Sequence, residues 1–283
     1  MTFTDLDWVS ISLRTMIYVG TIAVSGGVLV RATLDMAPVS RTITWQIGIG
    51  ILVLVVCEPL RYMSFQLSIA QGDWAMAFDP AMRWVAVETP VGHAAGMRLL
   101  GAGVVAIGFM WRPLAVLGAG LVIGSYLLEG HSVSSNSRAL VAILLFAHLA
   151  VVHWWLGALM PLRAALMSND DHWIAGVVED FGRKALVAVM LLTLAGAAML
   201  AILSDWQLSL LNAYQQAFAI KLSVFAAILL IAAINKTRWT PRLTSEPKRG
   251  QEGLRQSIAL EVVVALAILV ATAVATSFPP PNH

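Results

Sequence analysis

The chain has 283 residues, 59% of them hydrophobic and 12% charged, with a formal net charge of +2 and a mean hydropathy of +0.79. A soluble domain is about 45–50% apolar and about 25% charged, so a water-soluble globular protein is excluded, and the small charge gives no reason to expect nucleic acid. Cys57 is the one cysteine, which excludes an intrachain disulfide and a CxxC metal or redox motif.

The first ten residues, MTFTDLDWVS, are acidic and lack a basic n-region, so no cleavable signal peptide is expected. A bilayer crossing needs about 20 mostly apolar residues. In chain order such runs lie at roughly 11–30, 42–66, 92–110, 113–130, 139–163, 181–203, 214–235 and 255–277. They are long and do not alternate, so they are predicted as helices rather than barrel strands. The polar breaks at 67–91, 164–180 and 236–254 are too short for a soluble domain. The expected architecture is an all-α polytopic membrane protein: one domain over residues 1–283, with a bundle of about eight transmembrane helices.

Lys and Arg in short loops set orientation. The connections after the first, third, fifth and seventh spans carry Arg31 and Arg41; Arg112; Arg163, Arg183 and Lys184; and Lys236, Arg238, Arg242, Lys248 and Arg249. These alternate connections share one side, which is therefore the cytoplasmic one. The opposite loops are acidic or neutral, and both termini then face outward, which is the periplasm if the cell is Gram-negative.

A rise of about 1.5 Å per residue converts position to depth. Arg14, Glu58, Arg61, His93, Met97, Arg98, Glu129, His131, His148 and Lys221 all fall in the outer half, and Glu261 lies near the cytoplasmic end of the last span. Ionisable groups in a bilayer cost several kcal/mol and normally face the bundle interior in pairs. The pattern predicts a polar pocket open outward and closed toward the cytoplasm. Arg14, Glu58, Arg61, Arg98, Glu129 and Lys221 read most simply as supporting ion pairs. In the fifth span, FAHLAVVHWWLGAL, His148 and His153 are five residues apart and diverge by about 140°, so one ion does not easily take both. Each is a ligand or proton relay, or a neutral imidazole bonded to a neighbouring helix. His153 and Met160, seven apart, share a face and offer a continuation of the path inward. His93 and Met97, four apart, share another, and an N/S pair suits Cu(I); methionine is equally a gap-filler. His131, in EGHS at a helix end, is a ligand or a solvated loop residue.

The fifth span also reads H-x(6)-W-L-G-A-L-x-P-L from His148 through Trp155 to Leu162. This resembles the histidine-bearing span of the copper resistance D family, with Ala158 where the family has a second glycine. The resemblance continues through Phe181 and Gly196 of the sixth span, then Tyr214, Lys221, Asn235 and Pro241 of the seventh. It ends with Arg255, Ser257, Glu261 and Pro279–Pro281. Upstream it takes in Thr89, Gly92 and Arg98, then Gly130 and His131. It implies a multi-pass bacterial inner-membrane copper protein, linked to copper uptake toward the cytoplasm and working with a periplasmic copper-binding protein of the copper resistance C type. The family histidines carry over to His131 and His148; His93 and His153 rest on the physical reading alone. The expected metal ligands are therefore His148, His131, His93 and Met97, with Cu(I) favoured. Two alternatives stay open: a b-type haem redox protein, whose histidines would face one another at equal depth, and a copper binder that docks its partner without transport. No nucleophile–base constellation points to an enzyme.

Overall fold

The computed structural model describes the backbone of residues 5–129, 138–203 and 213–277. Among the described residues the structure is helical, without strands. The chain enters with α1 (Asp5–Thr21), which runs through a π-helical turn at Ile22–Gly26 into α2 (Gly27–Thr33). α3 (Ser40–Ile69) returns, carrying Pro59 inside the helix. Two short helices, α4 (Trp74–Ala77) and α5 (Pro80–Val87), precede α6 (Pro90–Ile107). α7 (Arg112–Gly124) and α8 (Arg138–Ala165) follow, then α9 (Asp171–Leu203), α10 (Ala213–Ile234), α11 (Arg242–Ser245) and α12 (Pro247–Ser277).

Among the described residues, six stretches are long and apolar enough to cross a membrane: Trp8–Thr33, Ala37–Ile69, Pro90–Met110, Ala139–Ala165, Asp171–Ala198 and Pro247–Val274. Arg112–Leu128 is a shorter apolar helix, and α10 spans 22 residues. Large apolar side chains stay exposed on the outer faces, including Ile49, Leu52 and Val55 of α3 and Leu186, Met190 and Leu194 of α9. In water such contiguous faces would be a liability; against lipid they are the expected surface.

The structure is more helical than the sequence predicts in three polar breaks. Asp73 and Asp79 accept from the Ala75 and Ala81 amides at 2.8 Å, and these N-caps start α4 and α5 inside the 67–91 break. Asp170 caps α9 through the Trp173 amide at 2.9 Å, so that helix begins ten residues before the apolar run. α12 opens at Pro247, where a missing N–H costs nothing, and turns the end of the 236–254 break into helix.

Packing is closest where backbones meet. A methyl placed on Gly157 of α8 would lie 2.5 Å from the Gly26 Cα. One placed on Gly26 would overlap the His153 carbonyl. Two glycines are therefore needed where the π-helical turn crosses α8, in the way small residues admit close helix contact in membranes. The basic loops gather at one end of the bundle. There Arg31 donates to the Phe109 carbonyl at 3.2 Å and Lys184 to the Thr33 carbonyl at 2.6 Å, cations placed on helix C-termini. At the other end Arg14 donates to the Thr276 carbonyl at 2.6 Å, tying α1 to α12.

Candidate functional site: a buried ion-paired cluster leading to His153

α3 presents Glu58 and Arg61 one helical turn apart. α6 presents Arg98, and the 3₁₀ turn Ser125–Leu128, which continues α7, delivers Glu129 to the same place. Arg98 donates to Glu58 Oε1 at 2.9 Å and to Glu129 Oε2 at 3.0 Å. Arg61 donates to Glu129 Oε1 at 3.1 Å and lies 3.9 Å from Glu58 Oε2. Two guanidinium groups thus face two carboxylates, and the cluster is neutral. It is also packed: Arg98 is 0%, Glu58 1% and Arg61 6% exposed. Removing one member of such a set leaves a buried charge, which costs far more than the intact set contributes.

A second polar line runs inward from this cluster. The Arg98 guanidinium sits 4.6 Å from the centroid of the Tyr126 ring, a cation–π contact. The Tyr126 hydroxyl is 2.9 Å from Thr21 Oγ1, and Thr21 Oγ1 is 3.0 Å from the Tyr18 carbonyl and 3.5 Å from His153 Nε2. On its far side the His153 ring meets the Leu149 carbonyl through Nδ1 at 2.7 Å. A carbonyl only accepts, so Nδ1 holds the proton there, and in a neutral ring Nε2 turns its lone pair toward Thr21. Thr21 has one hydrogen, and the shorter contact sends it to Tyr18; Tyr126 then donates to Thr21. Thr21 stands immediately before the π-helical turn, a distortion that recurs at functional positions.

The other residues singled out in the sequence are placed as follows. His93 is exposed near Glu88, its Nε2 3.8 Å from Oε2. Met97, on the same helix, is half-buried and points its methyl at Gly124. His148 is half-buried on α8, one and a half turns before His153. His153 is 3% and Met160 50% exposed, so the two differ in surroundings although they share a helix face. His131 and the Lys221 side chain lie outside the described residues. Among the described residues, no three His, Cys, Asp or Glu side chains gather as a metal site. Thr21 and Tyr126 were not singled out in the sequence. Tyr126 stands three residues before Glu129, a spacing that was a usable signal.

The fold and this interior define an α-helical, multi-pass membrane protein with an ion-paired and histidine-bearing core. Residues 175–275 match the family model described as copper resistance protein D. The copper transport protein CutJ of Bacillus subtilis is 27% identical over 232 residues, covering 75% of this chain and 41% of that protein. The chain thus spans about two fifths of the length of the curated relative it matches. No solved structure matches it. The similarity to the copper resistance protein D family thus lies in residues 175–275.

Proposed function

We propose that this protein binds copper in the bacterial inner membrane and moves it from the periplasm toward the cytoplasm. The observation that carries the reading is the family match over residues 175–275, joined to the similarity with a copper transport protein over 75% of the chain. The bundle has about eight spans and both termini in the periplasm; the gathering of basic loops at one end supports that orientation. A periplasmic copper-binding protein of the copper resistance C type delivers the metal, and the protein carries out no chemical conversion.

His131, His93 and Met97 receive copper near the outer face, and His148 takes it deeper. Imidazole and thioether ligands hold Cu(I) without adding negative charge to the bilayer. Arg98 and Arg61 would repel a cation if they stood alone. Glu58 and Glu129 cancel them at 2.9–3.1 Å, which supports passage of a cation through the outer half. His153, with Nε2 turned into the core, is the next donor inward, and Met160 follows it along α8.

Copper uptake into proteoliposomes that contain the full chain tests the proposal. Wild-type protein should accumulate Cu(I) in the lumen, and His148→Ala should reduce the rate at least tenfold. Copper that binds the wild-type protein without entering the lumen would make this a docking protein and not a transporter.

A further inference from the structure

Glu261 is a buried carboxylate that the copper path does not use. It lies on α12 inside the membrane-crossing stretch Pro247–Val274 and is 4% exposed. Its partner among the described residues is an amide: Asn235 Nδ2 donates to Glu261 Oε1 at 2.7 Å. Glu58 and Glu129 are held by arginines, but no described Lys, Arg or His forms an ion pair with Glu261.

Among the described residues, no charged group on the elements packed against α12 forms an ion pair with Glu261. On α1, Arg14 and Tyr18 bond Thr276. On α8, His153 Nδ1 bonds the Leu149 carbonyl, and no ion pair joins Glu261 to Arg163. Arg238 and Arg242 lie over the Trp239 ring, at 4.9 and 5.1 Å from its centroid, and Lys236 is exposed. On α12 itself, Arg255 pairs with Glu252 at 3.2 Å. Lys221 stands fourteen residues, about 21 Å, up α10 from Asn235.

The second observation concerns Asn235. Its Oδ1 is buried and has no hydrogen-bond partner. An amide whose N–H₂ donates to one carboxyl oxygen is matched by a carboxylic acid whose O–H donates back. A proton on Glu261 Oε2 supplies the donor that Oδ1 lacks; an ionised carboxylate cannot, because it only accepts. Leaving a buried acceptor unmade costs about 1–3 kcal/mol, and an unpaired charge within a membrane costs more. Asn235 also begins a π-helical turn, Asn235–Trp239. That turn is held against α12 where a methyl on Gly253 would overlap the Trp239 ring, so opening this contact separates the amide from the acid.

We propose that Glu261 and Asn235 form a proton-binding site in the bundle, loaded as a carboxylic acid–amide pair and emptied when the pair opens. On opening, the Oε2–H bond breaks, water takes the proton and Glu261 keeps the electron pair as carboxylate. Coupling of this proton to cation movement rests on the transport reading above; the proton site itself does not.

The test has two arms. In infrared difference spectra of the full purified protein, wild type should show a carboxylic-acid C=O band at neutral pH. E261Q should lack it, and N235L should shift it to the frequency of a weaker hydrogen bond. Gln presents the same donor and acceptor pattern as a protonated Glu, so E261Q should fold with near wild-type stability. In proteoliposomes with a luminal pH dye, copper movement by wild type should carry a proton flux that E261Q loses while still moving copper. A band unchanged by E261Q overturns the proton site. A proton flux undiminished in E261Q overturns its coupling role. Absence of copper movement in wild type counts against the transport reading, and the infrared result still decides the site.

Discussion

Replacing Arg98 by Met perturbs the outer cluster at its centre. The substitution removes two charge-assisted hydrogen bonds, of 2.9 and 3.0 Å, each of about 1.5–3 kcal/mol. It removes the contact with the Tyr126 ring as well, and leaves Glu58, 1% exposed, with only the 3.9 Å approach of Arg61. Met fills much of the volume and recovers some burial. The expected loss is about 3–5 kcal/mol, the usual cost of stripping one partner from a buried ion pair. Unfolding of the purified protein in mixed micelles with increasing denaturing detergent, followed by tryptophan emission and far-ultraviolet circular dichroism, measures it. The double variant Arg98→Met/Glu58→Met is the control. It leaves Arg61 opposite Glu129, a neutral pair at 3.1 Å, and should recover more than half of the loss. A loss below about 1 kcal/mol, or a double variant no more stable than the single one, would refute the claim that these charges are buried and mutually dependent.

Further substitutions probe the polar line and the helix crossing. Gly157→Val should destabilise the fold by several kcal/mol or prevent insertion, because its Cβ meets the Gly26 backbone at 2.5–2.6 Å; normal expression and melting would contradict the close crossing. Thr21→Val removes the hydroxyl that receives Tyr126 at 2.9 Å and should cost about 1–3 kcal/mol, read in the same detergent titration. Trp154→Phe removes the 2.8 Å bond from Nε1 to Thr33 Oγ1 and should cost about 1 kcal/mol, while keeping an aromatic ring against Phe181, whose centroid lies 5.2 Å from that of Trp154.

The sequence carried most of the helical layout, because apolar runs of about 20 residues have few alternatives in a membrane. Depth counted along the helices also put Glu58, Arg61, Arg98 and Glu129 in the same outer half. Depth alone does not say which face each helix turns inward, so the bridging of both carboxylates by Arg98 emerges only with the helices packed. Short helices at Trp74–Ala77 and Pro80–Val87 had a local signal in Asp73, Asp79 and Pro80. The two π-helical turns had none, since an extra residue in a turn is set by tertiary packing. Thr21 and Tyr126 were hidden for a related reason. A hydroxyl within an apolar run most often bonds its own helix, as Thr15 does to Ile11 at 2.9 Å, and only the crossing of α1, α8 and the end of α7 gives these two a longer-range role. Asn235 and Glu261 lie 26 positions apart on different helices, so their pairing belongs to the fold.

The central claim is that copper is held by histidine inside the membrane, with His148 as a ligand. It is tested most directly by a Cu(I) titration of reduced, detergent-solubilised protein, wild type beside His148→Ala. The account predicts tight wild-type binding that the substitution weakens at least tenfold, with the fold retained. Equal affinity and stoichiometry in the two proteins would contradict it and return His148 to a role in helix packing.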